Sequence, residues 1–154
     1  MSTATGTRLQ QVLDTGELTA LVHRLGACLD EGRFDDLPDL LTEDATARTP
    51  GGTARGRDAV VAQARHNHGP DQRFQHVITD VLTAVSGDRA RIRANVVLHV
   101  APADPPAGPP PAPVSSMGGL YGFDAARTTD GWRLAGVEVT PLWRADARTA
   151  RRVG

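Results

Sequence analysis

The apolar residues of this chain change their spacing once, between His68 and Arg73, and that change limits the folds open to it. On the N-terminal side, Leu18, Leu21, Val22, Leu25, Cys28 and Leu29 recur at intervals of three and four. That spacing places them on one stripe of a helix from Glu17 to Asp30. Gly32 ends this helix, and Phe34, Leu37, Leu40 and Leu41 mark a second, shorter one that accepts Pro38 in its first turn. Thr42 to Thr49 reads as a short strand and Pro50-Gly51-Gly52 as a turn. A third helix runs from a cap at Asp58 through Val60, Val61 and Ala64 to about Arg65, and Gly69-Pro70 stops it.

Past that break the period is two. Arg73 to Val85 alternates, with Phe74, His76, Ile78 and Leu82 on one face and Val77, Val81 and Val85 on the other. After the turn Ser86-Gly87-Asp88, the strand Arg89 to Val100 puts Ala90, Ile92, Ala94, Val96, Leu98 and Val100 on one face. Two further strands, about Gly118 to Arg127 and Trp132 to Trp143, flank the turn Thr129-Asp130-Gly131. Three helices followed by an antiparallel meander predict an α+β layer in which helices close one face of the sheet. The Pro-dense stretch Ala101 to Pro113 neither pairs in a sheet nor forms a helix, so it is a long loop, either a plain excursion or a flap over a pocket mouth.

A length of 154 residues suits one domain. The expected division is a flexible segment 1–14, a domain 15–146 with its Pro-rich loop at 101–114, and a flexible tail 147–154 carrying Arg148, Arg151 and Arg152. Seventeen basic residues, all Arg, stand against 18 acidic ones for a net charge of -1, which leaves no footprint for a nucleic acid or an anionic membrane. Cys28 is the single cysteine, so no intramolecular disulfide forms, and it reads as a small buried hydrophobe. Met1 to Gln11 lacks the apolar run of a signal peptide, and a cytoplasmic location is expected. His66 and His68 flank Asn67 without nearby carboxylates or cysteines, so no metal site is expected there.

Five short strings narrow the fold further: Leu29-Asp30-Glu31-Gly32-Arg33-Phe34, Leu40-Leu41-Thr42-Glu43-Asp44-Ala45, Gly56-Arg57-Asp58-Ala59-Val60, Gln75-His76 and Asp130-Gly131-Trp132-Arg133. Their order and spacing over about residues 15 to 146 resemble the SnoaL-like and scytalone dehydratase-like branch of the nuclear transport factor 2 (NTF2-like) superfamily. The resemblance implies a cone of three N-terminal helices on a curved antiparallel sheet around one apolar pocket. It also implies cofactor-independent acid/base chemistry on a hydrophobic ring compound, polyketide-like or terpenoid, by cyclisation, dehydration, isomerisation or epoxide opening. Superfamily members commonly dimerise through the outer sheet face, where Val77, Val81 and Val97 would suit a homodimer.

Residue by residue, Asp30 resembles the family's first-helix Asp and His76 its strand His. A carboxylate beside an imidazole fixes the tautomer and leaves the other ring nitrogen to move a proton near neutral pH. The family's second catalytic His falls at Val100, and the neighbouring His99 points to the opposite face. The Arg-x-Asp unit of limonene epoxide hydrolases is absent, the nearest string being Arg93-Ala94-Asn95. Phe74, Val100, Tyr121 and Trp143 are candidate substrate-binding residues on the strands, with an aromatic ring to pack on and a hydroxyl to donate. His23, seven residues before Asp30 on a flank kept small by Gly26 and Ala27, is a further candidate. The competing reading is a non-catalytic ligand-binding or dimerisation module, in which His76 is a core histidine satisfied by one hydrogen bond.

Overall fold

The computed structural model describes residues 3–103 and 108–147. In chain order the elements are α1 (Thr3–Asp30), a 3-10 helix (Phe34–Leu40), β1 (Leu41–Thr49), β2 (Gly52–Arg55), α2 (Arg57–Asn67), β3 (Gln72–Ser86), β4 (Arg89–Pro102), β5 (Ser115–Thr128) and β6 (Gly131–Asp146). The strands form one six-stranded sheet in the order β2-β1-β6-β5-β4-β3. The expected tail beyond Ala147 and residues 104–107 of the Pro-rich loop lie outside the described residues.

The predicted stripe of α1 is the buried one: Leu18, Leu21, Val22, Leu25, Cys28 and Leu29 all face the core. Gly32, at φ +66°, closes the helix. The Arg33 N–H donates to the Cys28 carbonyl at 2.9 Å and the Gly32 N–H to that of Leu29, a pairing that satisfies the last carbonyls and turns the chain into the 3-10 helix. The second helix is thus 3-10 rather than α, as its short length and internal Pro38 favour. Phe34, Leu37 and Leu40 bury under α1.

Four expectations are corrected. The first helix starts at Thr3 rather than Glu17, so residues 3–14 of the expected flexible segment are helical. These turns bear no apolar stripe on the core, and Leu9, Val12 and Leu13 are exposed. A polar anchor replaces it: Asp14 is buried, accepts two bonds from the Arg127 guanidinium at 2.9 Å each, and one from Trp132 Nε1–H at 3.1 Å. Helix α2 is capped by Gly56 at φ +88° and not by Asp58, which sits inside the first turn where its charge still meets the positive helix pole.

The sheet is not wholly antiparallel, because β1 pairs in parallel with β6. Hairpins force antiparallel pairing only on strands they join directly, whereas β1 enters from the helical layer. Finally, β3 carries a bulge at Asp80, a non-glycine residue at φ +52° whose carboxylate accepts from Asn95 Nδ2–H at 2.7 Å. One extra residue inverts the alternation beyond it. Leu82 therefore lies on the outer face, 64% exposed, and Val81 packs against the core instead of joining Val77 outside.

Candidate active site

The helices and the inner sheet face enclose a cavity of about 390 Å³. Its walls are mostly aliphatic, among them Leu25, Leu29 and Leu37 from the helical layer and Val96, Leu98, Val137 and Val139 from the sheet. Such a volume and lining suit a small organic ligand.

Strand β3 runs alongside α1, and small residues set how closely. A Cβ on Gly26 would come 2.9 Å from Ile78 Cδ1, so glycine lets the strand approach the helix there. One turn further along α1, Asp30 meets His76. The Asp30 Oδ1 atom lies 2.6 Å from His76 Nδ1, and both carboxylate oxygens lie 3.0 Å from the His76 backbone N–H. A carboxylate only accepts, so Nδ1 carries a proton, and in the neutral ring the lone pair falls on Nε2. The His76 side chain is 4% exposed and lines the cavity, while Asp30 stands behind it, outside the lining. His76 Nε2 has no hydrogen-bond partner among the described residues and is not one of the buried polar atoms sealed without one.

Tyr121, on β5, stacks near His76 with ring centroids 6.5 Å apart and planes 15° apart. Burial, with a smaller push from the Asp30 charge, drives its phenol well above the usual tyrosine pKa, so the hydroxyl keeps its proton and can donate it in a hydrogen bond. It too lacks a protein partner among the described residues.

Of the expected ligand contacts, Phe74, Val100 and Tyr121 line the cavity. His23 does not. Strand β3 puts its own residues beside this flank of α1, with His76 at Asp30, Ile78 at Gly26 and Thr83 at Thr15, and His23 stays exposed. Trp143 is also outside the cavity. An irregularity in β6 pairs Gly119 with Pro141 but Gly118 with Trp143, which turns Trp143 to the outer face, 49% exposed, where its indole lies across Gly118. The same shift brings Arg144 to the cavity mouth.

Sequence reasoning missed Gln63, Asn67 and His68, which enter the cavity from α2. The signal was the four-residue spacing Val60, Ala64, His68, one helical flank whose three members all line the cavity. His68 caps the helix: its backbone N–H and its Nδ1 both lie against the Ala64 carbonyl, at 3.1 and 2.8 Å. Burial holds its pKa below the ordinary histidine value, the neighbouring His76 adding to the effect. Among the described residues no group of three or more His, Cys, Asp or Glu side chains is arranged to hold a metal ion, and no helix is long and apolar enough to cross a membrane.

Comparison with known proteins places this geometry in a family. No curated protein matches the chain. Among solved structures, the Kfla4162 protein from Kribbella flavida is 28% identical, with a TM-score of 0.76 over 92% of this chain and 99% of that one. A Novosphingobium aromaticivorans protein assigned as a scytalone dehydratase is 18% identical, TM-score 0.75, covering 92% and 91%. A type 2 hexachlorocyclohexane dehydrochlorinase, LinA, is 15% identical, TM-score 0.77, covering 90% and 92%. The model of the SnoaL-like domain matches residues 10–138, so the chain belongs to the SnoaL-like domain family.

Proposed function

We propose that this chain is a cofactor-independent acid/base enzyme acting on a hydrophobic ring intermediate, polyketide-like or terpenoid, of natural-product biosynthesis. The observation that carries the reading is the 2.6 Å contact between Asp30 Oδ1 and His76 Nδ1 beside an apolar cavity. In this scheme His76 Nε2 takes a proton from a carbon next to a carbonyl. Asp30 stabilises the imidazolium so formed, Tyr121 O–H donates to the developing enolate oxygen, and His76 then returns the proton to carbon or to a departing oxygen. Proteins of related fold lend support, one assigned as a scytalone dehydratase and one a hexachlorocyclohexane dehydrochlorinase, since elimination of water or hydrogen chloride requires a proton to leave carbon.

The test uses a carbon-acid probe. Deuterium exchange at the α-carbon of 2-tetralone in D2O is expected to run faster with protein than with buffer alone, and His76→Ala is expected to abolish the difference. Equal exchange in the two proteins, or none above buffer, overturns the proposal. Val100, where the family's second histidine would stand, favours a second reading, a ligand-binding module without turnover. That reading predicts saturable binding of 2-tetralone with no exchange.

We further propose that the chain forms a homodimer through the outer face of the sheet, where Val77 is 42% and Trp143 49% exposed.

A further inference from the structure

We infer that His68 is a second recognition group of the cavity, an uncharged acceptor that selects ligands bearing a hydroxyl group. The inference rests on reading the cavity as a ligand site and goes beyond the Asp30–His76 pair.

The end of α2 fixes the tautomer of His68. The Ala64 carbonyl oxygen has only lone pairs to offer, so the 2.8 Å contact requires a proton on His68 Nδ1. A neutral imidazole carries one N–H, and spending it on the helix leaves a lone pair on Nε2. That atom has no hydrogen-bond partner among the described residues and is not fully buried, and His68 lines the cavity. The ring is held in place on its other sides, with the Phe74 ring centroid at 4.6 Å, His76 at 5.6 Å and Phe34 at 6.3 Å. Burial keeps the imidazole from taking up a second proton near neutral pH, so Nε2 stays an acceptor.

A hydrocarbon ligand would strip water from this lone pair and return nothing, while a ligand O–H would replace the lost water bond. Tyr121 presents the complementary group, a donor hydroxyl, to the same cavity. The chemical class that satisfies both is a compact ring compound carrying one hydroxyl and one carbonyl or ether oxygen.

The experiment reads binding and tautomer, not turnover. In the 15N-histidine-labelled full chain near pH 7.5, long-range 1H–15N spectra should show His68 protonated at Nδ1 and unprotonated at Nε2. Saturating 5-indanol should shift the Nε2 resonance upfield by several ppm, and indane should not. In parallel, the ratio of indane Kd to 5-indanol Kd should fall about tenfold from wild type to His68→Phe. The spectra use the unmodified protein, so they decide the matter even if the variant misfolds. An Nε2 proton in the free protein, an Nε2 resonance that ignores bound 5-indanol, no binding of 5-indanol at millimolar concentration, or an unchanged Kd ratio in a folded variant would each overturn the inference. Wild-type protein that catalyses no exchange above buffer, while the Kd ratio still falls in His68→Phe, would count against the His76 reading alone, so the two failures are distinguishable.

Discussion

Asp30 holds His76 twice, by its ring through Nδ1 at 2.6 Å and by its backbone N–H at 3.0 Å from each oxygen. One carboxylate therefore both docks β3 onto α1 and sets the tautomer of the proposed base, and the two duties separate on substitution. Asp30→Asn keeps an oxygen for the backbone N–H but turns an amide NH2 group toward Nδ1, so the imidazole proton moves to Nε2. Exchange at carbon should drop about 10³- to 10⁴-fold with stability down by only about 1 kcal/mol. Asp30→Ala also orphans the backbone N–H and should lose about 1–3 kcal/mol. Urea unfolding and deuterium exchange on the same preparations check both numbers, and equal effects of the two variants on stability would show that the backbone contact contributes nothing.

Tyr121→Phe offers the converse case. Its hydroxyl has no partner among the described residues, so deleting it strands no protein group, and the change in stability should stay within about 0.5 kcal/mol. If that hydroxyl donates to a developing oxyanion, exchange falls about 10²-fold. A variant with full exchange activity removes Tyr121 from the mechanism and leaves it a wall of the cavity.

The period change near Gly69 made the architecture legible, because three-and-four spacing and alternation are direct imprints of helix and strand faces. Asp30 and His76 were legible through the resemblance, and their pairing obeys simple chemistry. The misplaced strand residues share one physical cause, which is that strand parity holds only between irregularities. The bulge at Asp80 exchanged Val81 with Leu82 with no Gly or Pro to mark it, while the shift at Leu142 that sent Trp143 outside follows Pro141 and lies opposite Gly118 and Gly119. Asp14 was invisible for another reason: its partners, Arg127 and Trp132, lie more than a hundred positions away, and a polar anchor leaves no periodic trace.

That anchor governs acid stability. The Arg127 guanidinium, with the Trp132 and Gln10 N–H groups, holds the Asp14 carboxyl far below the usual carboxylate range. The folded pKa is depressed, so the stabilisation is fully present above the unfolded value of about 3.9. It is lost as pH falls from there toward the folded value, because the unfolded chain then binds the proton more readily. Asp14→Asn should cost about 3 kcal/mol at neutral pH, or roughly 6–12 °C in Tm for a chain this size. The variant's stability should also depend less on pH below about 4. Thermal melts at pH 7 and urea titrations from pH 5 to 3 measure the two effects. A parallel fall of wild type and variant on acidification would mean that some other carboxylate dominates.

The outer face of the sheet carries a row that crosses four strands. Val77 pairs with Val97, Val97 with Gly118, and Gly118 with Trp143, whose indole covers the glycine. Directly opposed residues share a face, so the row is continuous and points away from the cavity. A second copy laid across it would bury the Trp143 ring and Val77, the type of aromatic centre on which interface energy concentrates. Val97 sits in the middle of the row and half-buried, where an aspartate in the monomer still reaches water. Val97→Asp should therefore dissociate the dimer while leaving 5-indanol binding in the cavity unchanged, since the substituted side chain and the cavity lie on opposite faces. Sedimentation velocity at about 10–100 µM reads the outcome. A wild-type monomer throughout that range, or a variant that sediments as a dimer, would show that this face does not carry self-association.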